Sequence, residues 1–142
     1  MLEDISCILR LLIAFILGGV IGLEREKKGG HAGLRTHILV CVGSTLIMLV
    51  SLYIYDIYQG KVPVDPARIA AGVVTGIGFL GAGTIIRSPE GIRGLTTAAS
   101  IWVSSAIGLA VGCGYIIPAV TTTAIAFLTL STLKWVEKTL ER

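Results

Sequence analysis

Charge is scarce in this chain. Asp, Glu, Lys and Arg together make up 15% of its 142 residues, where a soluble domain carries about 25%. Acidic side chains are missing from every long apolar run, and intramembrane carboxylates mark many proton and cation pathways. Cysteine numbers three, an odd count with no C-x-x-C spacing, which argues against a disulfide framework or a zinc site. No nucleophile–base arrangement is visible, so an enzyme is not expected. No segment shows the ten-residue alternation of a membrane barrel. The leader Met1-Leu2-Glu3-Asp4 is acidic and no A-x-A pattern follows it, so the first apolar run is read as a retained helix, not a signal peptide. With a net charge of only +3 and so apolar a composition, disorder is excluded. No nucleic-acid partner is expected.

Apolar surface is what the chain has in abundance. Hydrophobic residues make up 54%, and the mean hydropathy is +0.84. A soluble domain could not cover itself with the polar groups that remain. The class is integral membrane, as one domain over residues 1–142.

Charge-free windows place the spans, since a membrane helix needs about 20 mostly apolar residues. Residues 36–55 form one such window and 69–86 a second, bracketed by Arg68 and Arg87. Residues 94–133 carry no charge over 40 positions, about twice the length that crosses a bilayer, so the segment must fold back. Gly112-Cys113-Gly114 with Pro118 is the expected hairpin. Residues 5–23 complete the set, interrupted only by Arg10. The expected fold is all-α: a bundle of five transmembrane helices at about 5–23, 36–55, 69–86, 95–112 and 115–133.

Orientation follows the basic residues. Arg25, Lys27, Lys28, Arg35, Arg87, Arg93, Lys134, Lys138 and Arg142 fall on one side, nine of the twelve. Lys61 and Arg68 fall on the other. The N-terminus is expected outside and the C-terminus in the cytoplasm. Tyr53, Tyr55, Tyr58 and Tyr115 then sit at the outer interface and Trp135 at the inner one.

Eighteen glycines need a reason in lipid, where small residues let helix backbones approach. G-x-x-x-G pairs occur at Gly18/Gly22, Gly72/Gly76 and Gly108/Gly112. The third span is densest, with Gly72, Gly76 and Gly83 on one stripe and Gly78 with Ala82 on another, and Gly81 is counted among its packing positions. It is expected at the packing centre and in a homodimer interface, with Trp102 filling space against its glycines. Gly76-Ile77-Gly78-Phe79-Leu80-Gly81 also fits the dinucleotide fingerprint, but that motif needs a preceding strand and an acid about 20 positions on. Here it lies inside a span, and Ile101 stands where the acid belongs.

Polar residues gather at the span ends. After the first span comes Glu24-Arg25-Glu26-Lys27-Lys28, then Gly29-Gly30-His31-Ala32-Gly33-Leu34-Arg35-Thr36. Two readings stand: a solvated helix end with basic anchors, or a cluster pairing Glu24 and Glu26 with Arg35, Arg87 or Arg93. Across the membrane, Asp65-Pro66-Ala67-Arg68 has the form of a helix start. Arg87-Ser88-Pro89-Glu90-Gly91 reads as a turn. Arg93-Gly94-Leu95-Thr96-Thr97 then opens the fourth span, with Thr96 or Thr97 as its cap. Cys7, Cys41 and Cys113 read as packing residues. His37 and Cys41 share a helix face, but two ligands make no metal site.

These motifs resemble the MgtC/SapB family of bacterial inner-membrane proteins. The likeness rests on Gly18-Gly19-Val20-Ile21-Gly22-Leu23-Glu24-Arg25-Glu26, Gly33-Leu34-Arg35-Thr36, and Asp65-Pro66-Ala67-Arg68-Ile69-Ala70. It continues through Gly76-Ile77-Gly78-Phe79-Leu80-Gly81-Ala82-Gly83 and Arg93-Gly94-Leu95-Thr96-Thr97-Ala98-Ala99. The resemblance implies a small polytopic protein of the inner membrane, tied to growth in low magnesium or to acid stress. Some members are virulence factors associated with membrane ATPases. Longer members carry an ACT-like domain, and some virulence-associated members have Asn where this chain has Thr96; both differences point to a short branch. By that likeness, Glu24, Arg25, Glu26, Arg35, Thr36, Asp65, Arg68, Arg93, Thr96 and Thr97 are the functional polar positions. The expectation is a non-enzymatic regulator of membrane partners linked to magnesium homeostasis; the alternative is a magnesium transporter or channel. No cofactor is expected, and the sequence names no metal ligands.

Overall fold

The structure, a computed structural model, describes residues 4–140, with side chains as far as Thr132. Arg142 and the side chains of Lys134, Trp135 and Lys138, placed by the sequence in the cytoplasmic tail, lie outside what is described. Five helices run in chain order: α1 Asp4–Lys27, α2 Leu34–Tyr58, α3 Ala67–Gly83, α4 Leu95–Gly112 and α5 Ile116–Leu140. Between α3 and α4 stands a two-stranded ribbon, β1 Ile86–Ser88 and β2 Gly91–Arg93.

Helices α1, α2 and α4 are long and apolar enough to cross a membrane. The apolar helix Ala67–Gly83 and the stretch Ile116–Thr132 are shorter. The charge-free window carries the third span to residue 86, but the helix ends at Gly83. The chain turns instead into the ribbon, paired Ile86↔Arg93, Arg87↔Ile92 and Ser88↔Gly91. Pro89 and Glu90 form its tip, where the missing proline N–H costs no ladder bond. The turn expected at 87–91 is thus a hairpin. The break between α4 and α5 falls at residues 113–115, within the hairpin expected there, and Gly114 takes a left-handed φ of 86°.

The exposure pattern is that of a protein whose solvent is lipid. Phe79 is 83% exposed and Ile117 80%, while Ile8, Leu12, Phe15, Leu39, Leu46 and Leu128 also face outward. Such an array would aggregate in water. Inside lie small or branched residues: Ala14, Leu17, Ile21, Cys41, Ile107, Val111 and Ala119 form one core.

Helix α4 is the packing centre, touching every other helix. Its Gly108 and Gly112 face α2. A Cβ at Gly108 would collide with the Cys41 carbonyl, and one at Gly112 would lie 2.6 Å from Met48 Cβ. On α1, Gly18 and Gly22 meet α2 as closely: a Cβ would sit 2.8 Å from His37 O and 2.7 Å from Leu34 Cα, respectively. Close approach also lets polar groups cross, for Thr45 Oγ1 reaches Cys41 O at 2.9 Å and Gly108 O at 2.8 Å. Two of the three expected glycine pairs therefore join α1 and α4 to α2.

The third pair does not. Helix α3 packs on α4 and α2 at the edge of the bundle, and a Cβ at Gly72, Gly76, Gly78 or Gly83 would meet no other atom within 4 Å. Of the α3 glycines only Gly81 faces a neighbour, Ala98, at 3.6 Å. Central placement of the third helix is thus corrected. Small residues permit close approach, but they do not choose which helix approaches. Trp102 is corrected with it: half its surface is exposed, because lipid solvates an indole as readily as a glycine groove does.

Arg10, the lone charge within the first span, donates from Nη1 to Gly112 O at 2.7 Å. It satisfies an orphan carbonyl at the C-terminus of α4, where the helix dipole favours a cation.

Candidate functional site

The end of α1 is built by its glycines. Gly30 N–H donates to Arg25 O (2.8 Å) and Gly29 N–H to Glu26 O (3.2 Å), the paired bonds of a Schellman cap with Gly29 left-handed at φ 68°. The turn brings Gly30 against Arg25, where a Cβ would stand 2.9 Å from Nη2. The Arg25 guanidinium occupies the room a side chain would take.

Glu26 points to the next helix. Helix α2 begins after Gly33, which has no side chain to cap it. Glu26 Oε2 accepts the Leu34 N–H at 2.7 Å instead, satisfying one of the four free donors of the helix start. Gly33 is required there too, since a Cβ would come within 2.6 Å of that carboxylate oxygen.

Glu24 is buried, its side chain 5% exposed, and pairs with Lys28 Nζ at 2.9 Å. The ammonium also donates to Leu130 O (3.2 Å) and Ser131 O (2.6 Å), tying α1 to α5. Glu24 Oε2 has no hydrogen-bond partner.

Helix α4 starts without a side-chain cap. Its N-cap is Gly94, left-handed at φ 92° and pressed against the Thr84 carbonyl, which a Cβ would overlap. Neither Thr96 nor Thr97 caps, contrary to expectation, because a left-handed glycine already occupies the cap position. Thr97 Oγ1 accepts from Arg25 Nη2 at 3.2 Å, and Thr96 is exposed. The first intrahelical acceptor is Gly94 O, bound by Ala98 N–H at 2.9 Å. The N–H groups of Leu95, Thr96 and Thr97 precede it and have no acceptor among the described residues.

These pieces enclose a cavity of about 540 Å³. Arg25 and Lys28 line one wall, Gly29, Gly30 and His31 another, and Gly94 to Thr97 a third, with Thr129 and Leu130 from α5. Arg25 Nε is shut off from solvent and has no partner. No carboxylate among the described residues pairs with this guanidinium.

The expected single cluster is therefore only partly assembled. Glu24, Arg25, Glu26, Thr96 and Thr97 come together at this end of the bundle. Arg35 is exposed, and neither its side chain nor that of Thr36 has a hydrogen bond or ion pair among the described residues. Arg93 reaches only Glu90, at 3.4 Å on the exposed ribbon. The i,i+4 spacing from Glu24 to Lys28 outcompetes the distant arginines. Asp65 and Arg68 lie at the far end of α2, as Ser51 Oγ donating to Pro66 O shows. Asp65 Oδ1 accepts Ala67 N–H at 2.8 Å, a helix-start role; Arg68 is exposed.

Sequence reasoning gives His37 little weight. It is fully buried; its Nδ1–H donates to Gly33 O (2.8 Å) and Nε2 faces Ser100 Oγ at 2.9 Å. With Thr45 and Ser104, whose Oγ is buried without a partner, it forms a polar seam between α2 and α4. The i,i+4 spacing of His37 and Cys41 marks the face; the partner on α4 has no signal in the sequence.

Comparison with known proteins places this geometry. A sequence model of the MgtC family matches residues 11–139. The chain is 53% identical to YhiD of Escherichia coli (strain K12) over 109 residues, covering 75% of this chain and 51% of that protein. It is 39% identical to SapB of Bacillus subtilis (strain 168) over 137 residues, covering 94% and 59%. Against MgtC of Salmonella typhimurium (strain LT2) the identity is 47% over 107 residues, covering 75% and 43%. The chain spans about half the length of the curated relatives it matches. No solved structure matches it. On these matches the chain belongs to the MgtC family.

Proposed function

We propose that this chain is a multi-pass inner-membrane regulator linked to magnesium homeostasis, acting through the cytoplasmic end of α1, α4 and α5. In this reading all five helices cross the bilayer, with the N-terminus outside, and membrane partners such as ATPases read the polar face. The magnesium link comes from the relatives: the name of YhiD refers to magnesium transport. The observation that carries the regulator reading is where the polar groups are. Arg25, Glu26, Lys28 and Thr97 are engaged in bonds between helices at one end, so a partner touching that face would feel the packing of the whole bundle. A homodimer through the open glycine face of α3 belongs to the same proposal.

One observation favours the transporter reading instead. The seam of His37, Ser100, Ser104 and Thr45 runs between α2 and α4, and the buried Ser104 hydroxyl has no partner. A hydrated path would pass there.

Complementation in cells starved of magnesium separates the two faces. Arg25→Gln and Glu26→Gln should lose growth support, while Asp65→Asn, at the opposite end, should retain most of it. Equal loss with Asp65→Asn would overturn the assignment to the cytoplasmic face.

A further inference from the structure

We infer that the ribbon of β1 and β2 is a membrane-surface anchor, in which Arg87 and Arg93 bind the phosphates of anionic lipid headgroups; this rests on reading the five helices as spans. The register sets its faces. Residues opposed across an antiparallel pair project on the same side, so Ile86 stands beside Arg93 on one face and Ile92 beside Arg87 on the other. Each face thus carries one branched apolar side chain and one guanidinium. Ile86, Ile92 and Leu95 are all more than half exposed. Every ribbon residue from 86 to 93 except Ser88 is exposed, so neither face is covered by the described residues. A two-stranded ribbon left bare in water is marginal at best, and its isoleucines gain by leaving water.

Depth in the bilayer identifies what lies against it. Helix α3 has 17 residues and rises about 25 Å, short of the roughly 30 Å hydrocarbon core. Ile85 and Ile86 therefore complete the crossing. Gly94, pressed against the Thr84 carbonyl, holds the α4 start at the same level, so Leu95 shares that boundary. The ribbon continues from there at about 3.3 Å per residue. Arg93 stands on its first rung and Arg87 on its second, both within a headgroup layer about 5–8 Å deep.

Charge then selects the lipid. Arg87 pairs with no carboxylate among the described residues. Arg93 meets only Glu90, at 3.4 Å with both side chains largely exposed, a pair worth little in solvent. Glu90 sits at the tip, so the one acid of the ribbon is its charge farthest from the bilayer. A guanidinium fork matches two phosphate oxygens at once, and anionic lipid at the cytoplasmic surface attracts arginines held this close. Edge pairing with a second copy fits less well, since three-residue strands bearing arginine are poor templates.

A bimane label at Ile92→Cys, with Cys7, Cys41 and Cys113 replaced, reads the contact in the full chain. The nanodiscs hold phosphatidylglycerol and phosphatidylcholine in equal parts, with bromine on the acyl chains of one lipid at a time. Brominated phosphatidylglycerol should quench the label about fivefold more than brominated phosphatidylcholine, and adding Arg87→Gln with Arg93→Gln should bring the two level. Equal quenching with both arginines present would overturn the proposal. So would free access of iodide without lipid quenching, or shielding from both quenchers, which would put a protein partner or a second copy on the ribbon. If the cysteine-free chain does not fold, phosphatidylglycerol retained on extraction into detergent decides. The double arginine variant of the otherwise unaltered chain should then keep severalfold less of it, and equal retention would overturn the proposal. Nanodiscs expose both faces and the readout uses neither growth nor magnesium, so this anchor fails or holds independently of the regulator reading.

Discussion

Glu26 serves α2 as a cap borrowed from the preceding helix. Because Gly33 cannot cap, Glu26→Ala should destabilise the protein by about 0.5–2 kcal/mol, as loss of a cap does. Glu26→Gln, which keeps an acceptor, should cost less; thermal unfolding in detergent checks both. Lys28 makes a second case. Removing it strands the buried Glu24 carboxylate, so Lys28→Ala should cost about 1–3 kcal/mol, while the exposed Lys27→Ala should stay within about 0.5 kcal/mol. Equal effects at the two lysines would contradict the buried pair. At this scale the charged positions at the span end are legible in the sequence and their partners are not. Glu24, Arg25 and Glu26 stand out as charge at a span end. That Arg25 turns to Thr97 while Glu26 turns to Leu34 depends on a glycine turn and on which helices adjoin, and neither follows from spacing.

Helices are more legible than their arrangement. Long charge-free windows mark all five helices, but the third ends three residues short of its window at the ribbon and the fifth runs on to Leu140, past the window's end at 133. The glycine pairs carry the same signal at 72/76 as at 108/112, yet only the latter is pressed against a neighbour. The geometry separates them by experiment. Gly108→Ala should drive a methyl into the Cys41 carbonyl and cost about 1–3 kcal/mol, the usual penalty of overpacking. Gly76→Ala and Gly83→Ala should not lower the monomer's unfolding midpoint, since their Cβ positions are open and Ala favours the helix over Gly. If those two variants shift the oligomeric state in detergent without changing monomer stability, the open face of α3 is the dimer surface. A large monomer destabilisation at Gly76 would contradict the edge placement of α3.

At the scale of the whole molecule, the proposal is a bundle with its functional face in the cytoplasm. Single cysteines at the exposed positions His31 and Gln59, with Cys7, Cys41 and Cys113 replaced, test the orientation in intact cells. An impermeant thiol reagent should label Gln59→Cys and spare His31→Cys; the reverse pattern would invert the bundle. The proposed orientation rests on the nine-to-two bias of basic residues. The choice between regulator and transporter is not legible from the residues, because a path lined by hydroxyls and carbonyls leaves no charge in the sequence. The most direct measurement is magnesium uptake into proteoliposomes holding the purified chain, with an inward magnesium gradient and a fluorescent indicator inside. A regulator should give the uptake of empty vesicles. Saturable uptake above that level, lost on Ser104→Ala or His37→Ala in folded protein, would contradict it and place a magnesium path along the seam between α2 and α4.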